Sequence, residues 1–241
     1  MAEHTPVGFM VEPITRKTMN KTNNKILVKF PTRQRPTQFV RALNACIENQ
    51  TSTNVHYLIT IDSDDESMKN VRDSLLHHDH VTVDEGKSYS KIHACNRGMD
   101  NDMEWDIVVL MSDDMMCKKK GWDSQLIKEM AYNYPDTDGV LWHNDGYTHN
   151  KLNTMCILGR KYYKRFSYIY NPEYKSFWCD NEFMDVASQM GKQTYMNDVL
   201  FRHEHPANTG DPMDAMYIQA NNDYQKDKQT YNDRKHKGFA N

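Results

Sequence analysis

Apolar residues in this chain gather in short blocks separated by polar stretches, and the blocks follow two rhythms. Lys25-Ile-Leu-Val-Lys-Phe30, Val55-His-Tyr-Leu-Ile-Thr-Ile61 and Asp106-Ile-Val-Val-Leu-Met111 are dense in β-branched and aliphatic residues and have the length of strands. Runs that are apolar on both faces suit the inner strands of a parallel sheet. Between the first two, Phe39, Leu43, Cys46 and Ile47 recur at helical spacing, which predicts a helix over 37–49. A short helix is expected over 66–77, a brief strand at Val81-Thr-Val83, and a helix over 88–100 that stops near Gly98. A helix over 123–134 carries Leu126, Ile127, Met130 and Tyr134 on one face. Strands follow at Val140–His143 and Met155–Leu158, then a short helix within 159–166, a helix over 180–191 ended by Gly191, and a strand over 195–202. Met216, Tyr217, Ala220 and Tyr224 begin an amphipathic helix that turns basic between Lys226 and Lys237. Residues 1–24 show no periodicity and read as a tail or arm.

Strand and helix alternate through residue 111. This predicts an α/β fold with a mixed, mainly parallel central sheet, right-handed crossovers and flanking helices. One domain is expected over 25–206, preceded by the arm 1–24 and followed by a helical, basic extension over 207–241. Of the 241 residues 38% are apolar and mean hydropathy is −0.86, enough for a core beneath a very polar surface. Net charge is −3, so no global basic field announces a nucleic-acid partner. No segment approaches the roughly 18 apolar residues of a membrane span, and the first 24 residues lack a signal-type apolar stretch. The expectation is a cytoplasmic protein with no membrane partner. Five cysteines, odd in number and without a CxxC pair, read as buried free thiols.

The chemistry gathers where strands end, the place where open α/β sheets bind ligands. The third dense run breaks into Ser112-Asp113-Asp114, two adjacent carboxylates suited to a divalent cation. The first ends in Pro31-Thr32-Arg33-Gln34-Arg35-Pro36, whose threonine and arginines could meet phosphate or a base edge. The second ends in Asp62, able to accept from a ribose hydroxyl or a uracil N–H, or to cap the next helix. Phe201-Arg-His-Glu-His-Pro206 puts His203 and His205 on one face of an extended segment, where one imidazole could join a cation held mainly by carboxylates. His77-His-Asp-His80 is metal-like in composition but precedes a strand, away from the carboxyl edge. Asp180 and Glu182 open a helix, where acids also serve as caps. Neither GxGxxG nor GxxxxGKS/T occurs, which disfavours Rossmann dehydrogenases and P-loop NTPases.

Taken in order, these pieces resemble the GT-A nucleotide-sugar glycosyltransferases, especially the large inverting family that includes cellulose- and chitin-type synthases and small bacterial sugar transferases. The resemblance covers about residues 25–206 and rests on the order of the pieces, since no single motif is specific. Lys25 to Pro36 is similar to that family's first strand and its Pro-Thr-x-x-Arg loop along the nucleotide, and Asp62 to its acid for uracil or ribose. Lys91 to Gly98, with Ala94-Cys-Asn-Arg-Gly98, resembles the Ala-x-Asn-x-Gly helix below the donor. Ser112-Asp113-Asp114 stands in the place of the DxD metal motif, and Cys179-Asp180 in that of Glu-Asp, whose Asp is the catalytic base. His203 and His205 resemble the family's late metal-binding histidine. Two departures matter. Ser112 replaces the first DxD acid, which leaves Asp114 for the direct metal bond and Asp113 for ribose or support. Cys179 replaces the Glu, which makes Glu182 a second candidate beside Asp180.

The resemblance implies a GT-A fold and a metal-dependent transfer of sugar from a nucleoside diphosphate sugar, expected to be a UDP-sugar, to a hydroxyl with inversion. Mn²⁺ or Mg²⁺ would sit on Asp114 and one of the two late histidines, His203 or His205. The donor would meet Pro31, Thr32, Arg33, Arg35, Asp62, Lys91, Asn96 and Asp113, and Asp180 or Glu182 would be catalytic. The family's Gln-x-x-Arg-Trp signature of processive synthases is absent, so one transfer per encounter is expected. The acceptor is expected to be a glycan, a protein or a hydroxymethylated DNA base. The last would suit a virus-encoded enzyme acting in the host cytoplasm and using Lys226, Lys228, Tyr231, Arg234, Lys235 and Lys237. Two other classes compete: a nucleotidyltransferase, whose usual glycines the Pro31–Pro36 loop lacks, and a non-catalytic nucleotide-sugar binding protein.

Overall fold

Residues 24–100 and 102–240 are described by the computed structural model; most of the expected N-terminal arm lies outside them. In strand β1 (Ile26–Thr32), Ile26, Val28 and Phe30 join one hydrophobic cluster while Leu27 joins a second on the other side of the sheet. The period of two thus buries both faces, each full aliphatic side chain contributing roughly 1.5–3 kcal/mol. Pro36 opens α1 (Pro36–Asn49) where a missing N–H costs nothing, and Phe39, Ala42, Leu43 and Cys46 lay its stripe on the first cluster. Strand β2 (Val55–Asp62), α2 (Lys69–Leu75) and β3 (Val81–Gly86) continue outward, with Val71 and Leu75 in that same cluster. Helix α3 (Lys91–Asn96) then packs Ile92 and Cys95 into the second cluster, and β4 (Ile107–Leu110) enters beside β1.

The later elements are β5 (Met115–Cys117), α4 (Trp122–Asn133), β6 (Val140–His143), β7 (Ile157–Gly159), α5 (Arg160–Tyr163), α6 (Cys179–Gln189), β8 (Gln193–Met196) and β9 (Phe201–His203). Three more helices follow: α7 (Pro206–Thr209), α8 (Ala215–Ala220) and α9 (Tyr224–His236). The main sheet has the order β3-β2-β1-β4-β7-β6-β8 and is parallel except at β7, which runs antiparallel to β4 and β6. Strand order therefore reverses between β1 and β4, which opens a crevice at their carboxyl ends. At Gly159 an added Cβ would lie 2.1 Å from the Thr137 carbonyl oxygen, so only glycine lets β7 pass there.

The expected strand over 195–202 is two strands in two sheets. Strand β8 finishes the main sheet at Met196, and β9 pairs antiparallel with β5 in a separate ribbon, Met115 opposite His203. The C-terminal stretch is also more integrated than its charge suggested. Arg234 on α9 is buried against Glu182, at 2.8 and 3.0 Å, while Tyr231 and Lys235 meet Asp185 on α6 at 2.7 and 2.9 Å. Of the six residues proposed to touch nucleic acid, Tyr231 and Arg234 are thus buried and Lys235 is paired with Asp185 at the surface. The five cysteines are buried and free. Among the described residues no helix is long and apolar enough to cross a membrane.

Candidate active site

The crevice is built from three strand ends. After β1, Gln34 takes a left-handed conformation (φ 57) and its amide donates to Asp65 at 2.6 Å. That turn sends the two flanking arginines to different places. Arg33 pairs with Asp62 at 2.7 Å and with Asp64 at 2.5 Å. Arg35 donates to Asp113 at 2.9 Å and forks onto Asp214, at 2.8 and 2.7 Å. Pro31 remains in the sheet opposite Thr60, and the Thr32 hydroxyl lies 3.5 Å from Asp113. Buried Asp62 ends β2 and accepts from the Ser88 amide at 3.1 Å. Beneath it Arg97 donates to Asp84 at 2.9 Å and to the Ile61 carbonyl at 2.8 Å. The next residue, Gly98, turns at φ 75, and a Cβ there would press on the Asp84 carboxylate at 3.0 Å.

The β5–β9 ribbon brings the late histidines to the acids after β4. His203 Nε2 lies 3.5 Å from Asp114 Oδ2, and its Nδ1 lies 3.7 Å from Asp145, beyond hydrogen-bond reach and without a hydrogen-bond partner. Buried Asp145 follows β6 and is held by the amides of Tyr147 and Thr148, at 2.9 and 2.7 Å, and by the Thr154 hydroxyl at 2.9 Å. Burial works to lower the imidazole, but Asp114 and Asp145 on either side raise His203 to about 9. Burial would raise Asp114; His203 and Lys91, helped by the Ser112 hydroxyl, reverse this and hold it well below the carboxylate range. Asp113 goes the other way, raised to about 6 by burial and by Asp114 against the pull of Arg35. Surrounding protein lowers Lys91, but Asp114, with Asp180 further off, turns its net shift upward. Asp180 is half-buried at the start of α6, and burial raises its carboxyl despite the neighbouring charge of Lys91.

Three expected site residues are engaged elsewhere. The Asn96 amide is consumed by backbone, donating to the Tyr170 carbonyl at 2.7 Å and accepting from the Ile169 and Tyr170 amides at 2.9 and 3.2 Å. Glu182 accepts from Tyr174 at 2.7 Å as well as from Arg234, so its carboxylate ties α6 to α9. His205 caps α7, its Nδ1 accepting from the Ala207 amide at 3.1 Å, which leaves His203 as the histidine that reaches Asp114. His80, from the His-rich run, lines a groove at the opposite end of the strands with Lys25 and Glu104.

Four residues in or beside the crevice went unnoticed in sequence. Asp145 carried the same strand-end signal as Asp62. Arg97, Asp214 and Tyr217 gave none, because their partners are distant along the chain. Tyr217 on α8 donates to Asp114 Oδ2 at 2.8 Å, and the Arg35 guanidinium stacks 3.9 Å over its ring. Among the described residues a second His–carboxylate group, Glu129, His143 and Asp198, is close enough to share an ion. It is satisfied internally: His143 Nε2 is 2.8 Å from Glu129, and the Gln125 amide donates to Glu129 at 2.7 Å and to Asp198 at 2.6 Å.

No family model and no curated protein matches this sequence. Among solved structures it is similar to the mannosyltransferase PcManGT from Pyrobaculum calidifontis, solved in complex with GDP-Man and Mn²⁺ (TM-score 0.60, 15% identity, over 74% of this chain and 56% of that one). It is also similar to TarS 1–349 from S. aureus (TM-score 0.57, 16% identity, over 77% of this chain and 62% of that one). The chain spans less than two thirds of either structure. Identity this low speaks to architecture alone. With its mostly parallel seven-stranded sheet, its helices on both faces and these structural neighbours, the chain has the GT-A, Rossmann-like fold.

Proposed function

We propose that this chain transfers a sugar from a nucleoside diphosphate sugar to a hydroxyl, with a divalent cation held by Asp114 and His203. The observation that carries this is the 3.5 Å separation of Asp114 Oδ2 and His203 Nε2 at the point where strand order reverses. That spacing is long for a hydrogen bond and suits two donors sharing one ion. An imidazole set between two carboxylates, Asp114 at 3.5 Å and Asp145 at 3.7 Å, also fits a site for positive charge better than a neutral filler. When bound, Mn²⁺ or Mg²⁺ would neutralise charge on the departing diphosphate, and the nitrogen donor favours Mn²⁺.

The chain's own groups do the rest. Arg35 offers a planar fork for the diphosphate, and Asp62 an acceptor for the base or ribose. Asp180 is the base we assign: its raised carboxyl is a better proton acceptor than an ordinary aspartate, and it takes the proton of the attacking hydroxyl. Attack from the side opposite the diphosphate inverts the anomeric centre. Lys91, kept charged, steadies the negative charge shared by Asp114, Asp180 and the donor. A UDP-sugar is the first donor to try, and the GDP-Man complex of PcManGT makes GDP-mannose the second. A glycan or protein hydroxyl is the acceptor we favour, since Tyr231 and Arg234 are buried and Lys235 is paired with Asp185.

Purified protein incubated with UDP-sugars or GDP-mannose, Mn²⁺ and glycan acceptors should release nucleoside diphosphate, and Asp114→Ala should abolish that release. Asp180→Asn should spare donor binding and slow turnover about 10²–10⁴-fold. Release that neither substitution affects would contradict the assignment.

A further inference from the structure

The chain's own C-terminal segment occupies the crevice. Asp214 and Tyr217 belong to no strand, yet they hold the two groups assigned above to the donor and its cation. Asp214 sets both carboxylate oxygens on Arg35, at 2.8 and 2.7 Å, in the bidentate manner available to a phosphate. Tyr217 donates its hydroxyl at 2.8 Å to the same Asp114 oxygen that faces His203. Its ring fills the space between, 3.9 Å from the Arg35 guanidinium and 4.5 Å from the His205 ring.

We propose that residues 211–220 are an internal mimic of the cation–diphosphate pair: a strap that must leave before either can bind. This rests on the cation and diphosphate roles given to Asp114 and Arg35 above. Asp214 stands where a diphosphate would meet Arg35, and Tyr217 where the cation would meet Asp114. The attachment is light. None of the six residues of α8 is buried, Ile218 is 60% exposed and Met213 40%, and the segment begins beyond Gly210, which turns at φ 80. Few apolar contacts hold it, so opening requires little more than exchanging polar partners. Those partners are replaced in kind: a diphosphate returns an anion to Arg35, and a cation returns positive charge to Asp114. The ligands therefore open the strap by binding only the open form.

Calorimetric titration of manganese chloride into wild type, Tyr217→Phe and Asp114→Asn tests this. A strap closed about nine-tenths of the time weakens apparent affinity about tenfold, so Tyr217→Phe should bind manganese about tenfold more tightly than wild type. Asp114→Asn should lose the binding. Asp214→Asn should likewise tighten inorganic pyrophosphate in the presence of manganese, and hydrogen exchange over 211–220 should quicken once both ligands are added. Unchanged or weaker manganese binding by Tyr217→Phe would overturn the strap and make Tyr217 a support for Asp114. Slower exchange in the ligated protein would overturn it too, since the segment would then close over its ligand. If wild type and Tyr217→Phe alike take up no manganese, the cation assignment itself has failed and the strap falls with it.

Discussion

Asp145 favours His203 Nε2 as the nitrogen that gives up its proton to a cation beside Asp114. Its carboxylate lies 3.7 Å from Nδ1, so the Nδ1 proton is the one retained when a cation displaces the proton on Nε2 beside Asp114. Asp145→Asn keeps an oxygen for the Tyr147 and Thr148 amides but puts an NH₂ group beside Nδ1. The ring then gives up its Nδ1 proton and keeps the one on Nε2, the wrong nitrogen for a cation. Manganese affinity should fall about 10–100-fold while the far-ultraviolet circular dichroism spectrum is retained; unchanged affinity would remove Asp145 from the site. At this scale the sequence was legible where chemistry follows a strand end. Arg35, Asp62, Asp113, Asp114 and His203 all do, and all meet at or beside the crevice. Asn96 and Glu182 were not legible, because their partners lie far along the chain: Tyr170 on a loop for one, Arg234 on α9 for the other.

Among elements, β1 carries an unusual burden in Lys29. The side chain is buried beneath the crevice and bonds the Thr60 hydroxyl on β2 and the Arg97 carbonyl after α3, so it links three elements. Burial lowers its ammonium to about 8 from 10.5. The unfolded chain keeps that proton up to about 10.5, so between pH 8 and 10.5 it binds more protons than the folded one, and stability rises with pH. The shift of about 2.5 sets a ceiling of roughly 3 kcal/mol. Urea unfolding across that window should show the rise in wild type and a smaller one in Lys29→Met; parallel curves would mean that Lys29 titrates normally. Long runs such as β1, β2 and β4 announced themselves by composition. The β5–β9 ribbon did not, because Met115–Cys117 is three residues long and its register is set only by a partner more than eighty positions away. The expected strand over 195–202 spans two sheets: β8 ends at Met196, the polar pair Asn197-Asp198 breaks the run, and β9 begins at Phe201.

For the whole molecule, the alternating first half announced a parallel sheet; its order, β3-β2-β1-β4, which places the crevice at the ends of β1 and β4, is seen only in the structure. The antiparallel β7 and the return of the C-terminal segment over Asp114 depend on long-range packing, and no local period encodes them. The most direct measurement is a crystal structure of the protein grown with manganese chloride and a nucleoside diphosphate, read by anomalous scattering at the manganese edge. The expected result is one peak about 2.0–2.6 Å from both Asp114 Oδ2 and His203 Nε2, with diphosphate oxygens completing the shell and Arg35 turned from Asp214 to the phosphates. A peak at Glu129, His143 and Asp198 instead, or none between Asp114 and His203, would contradict it.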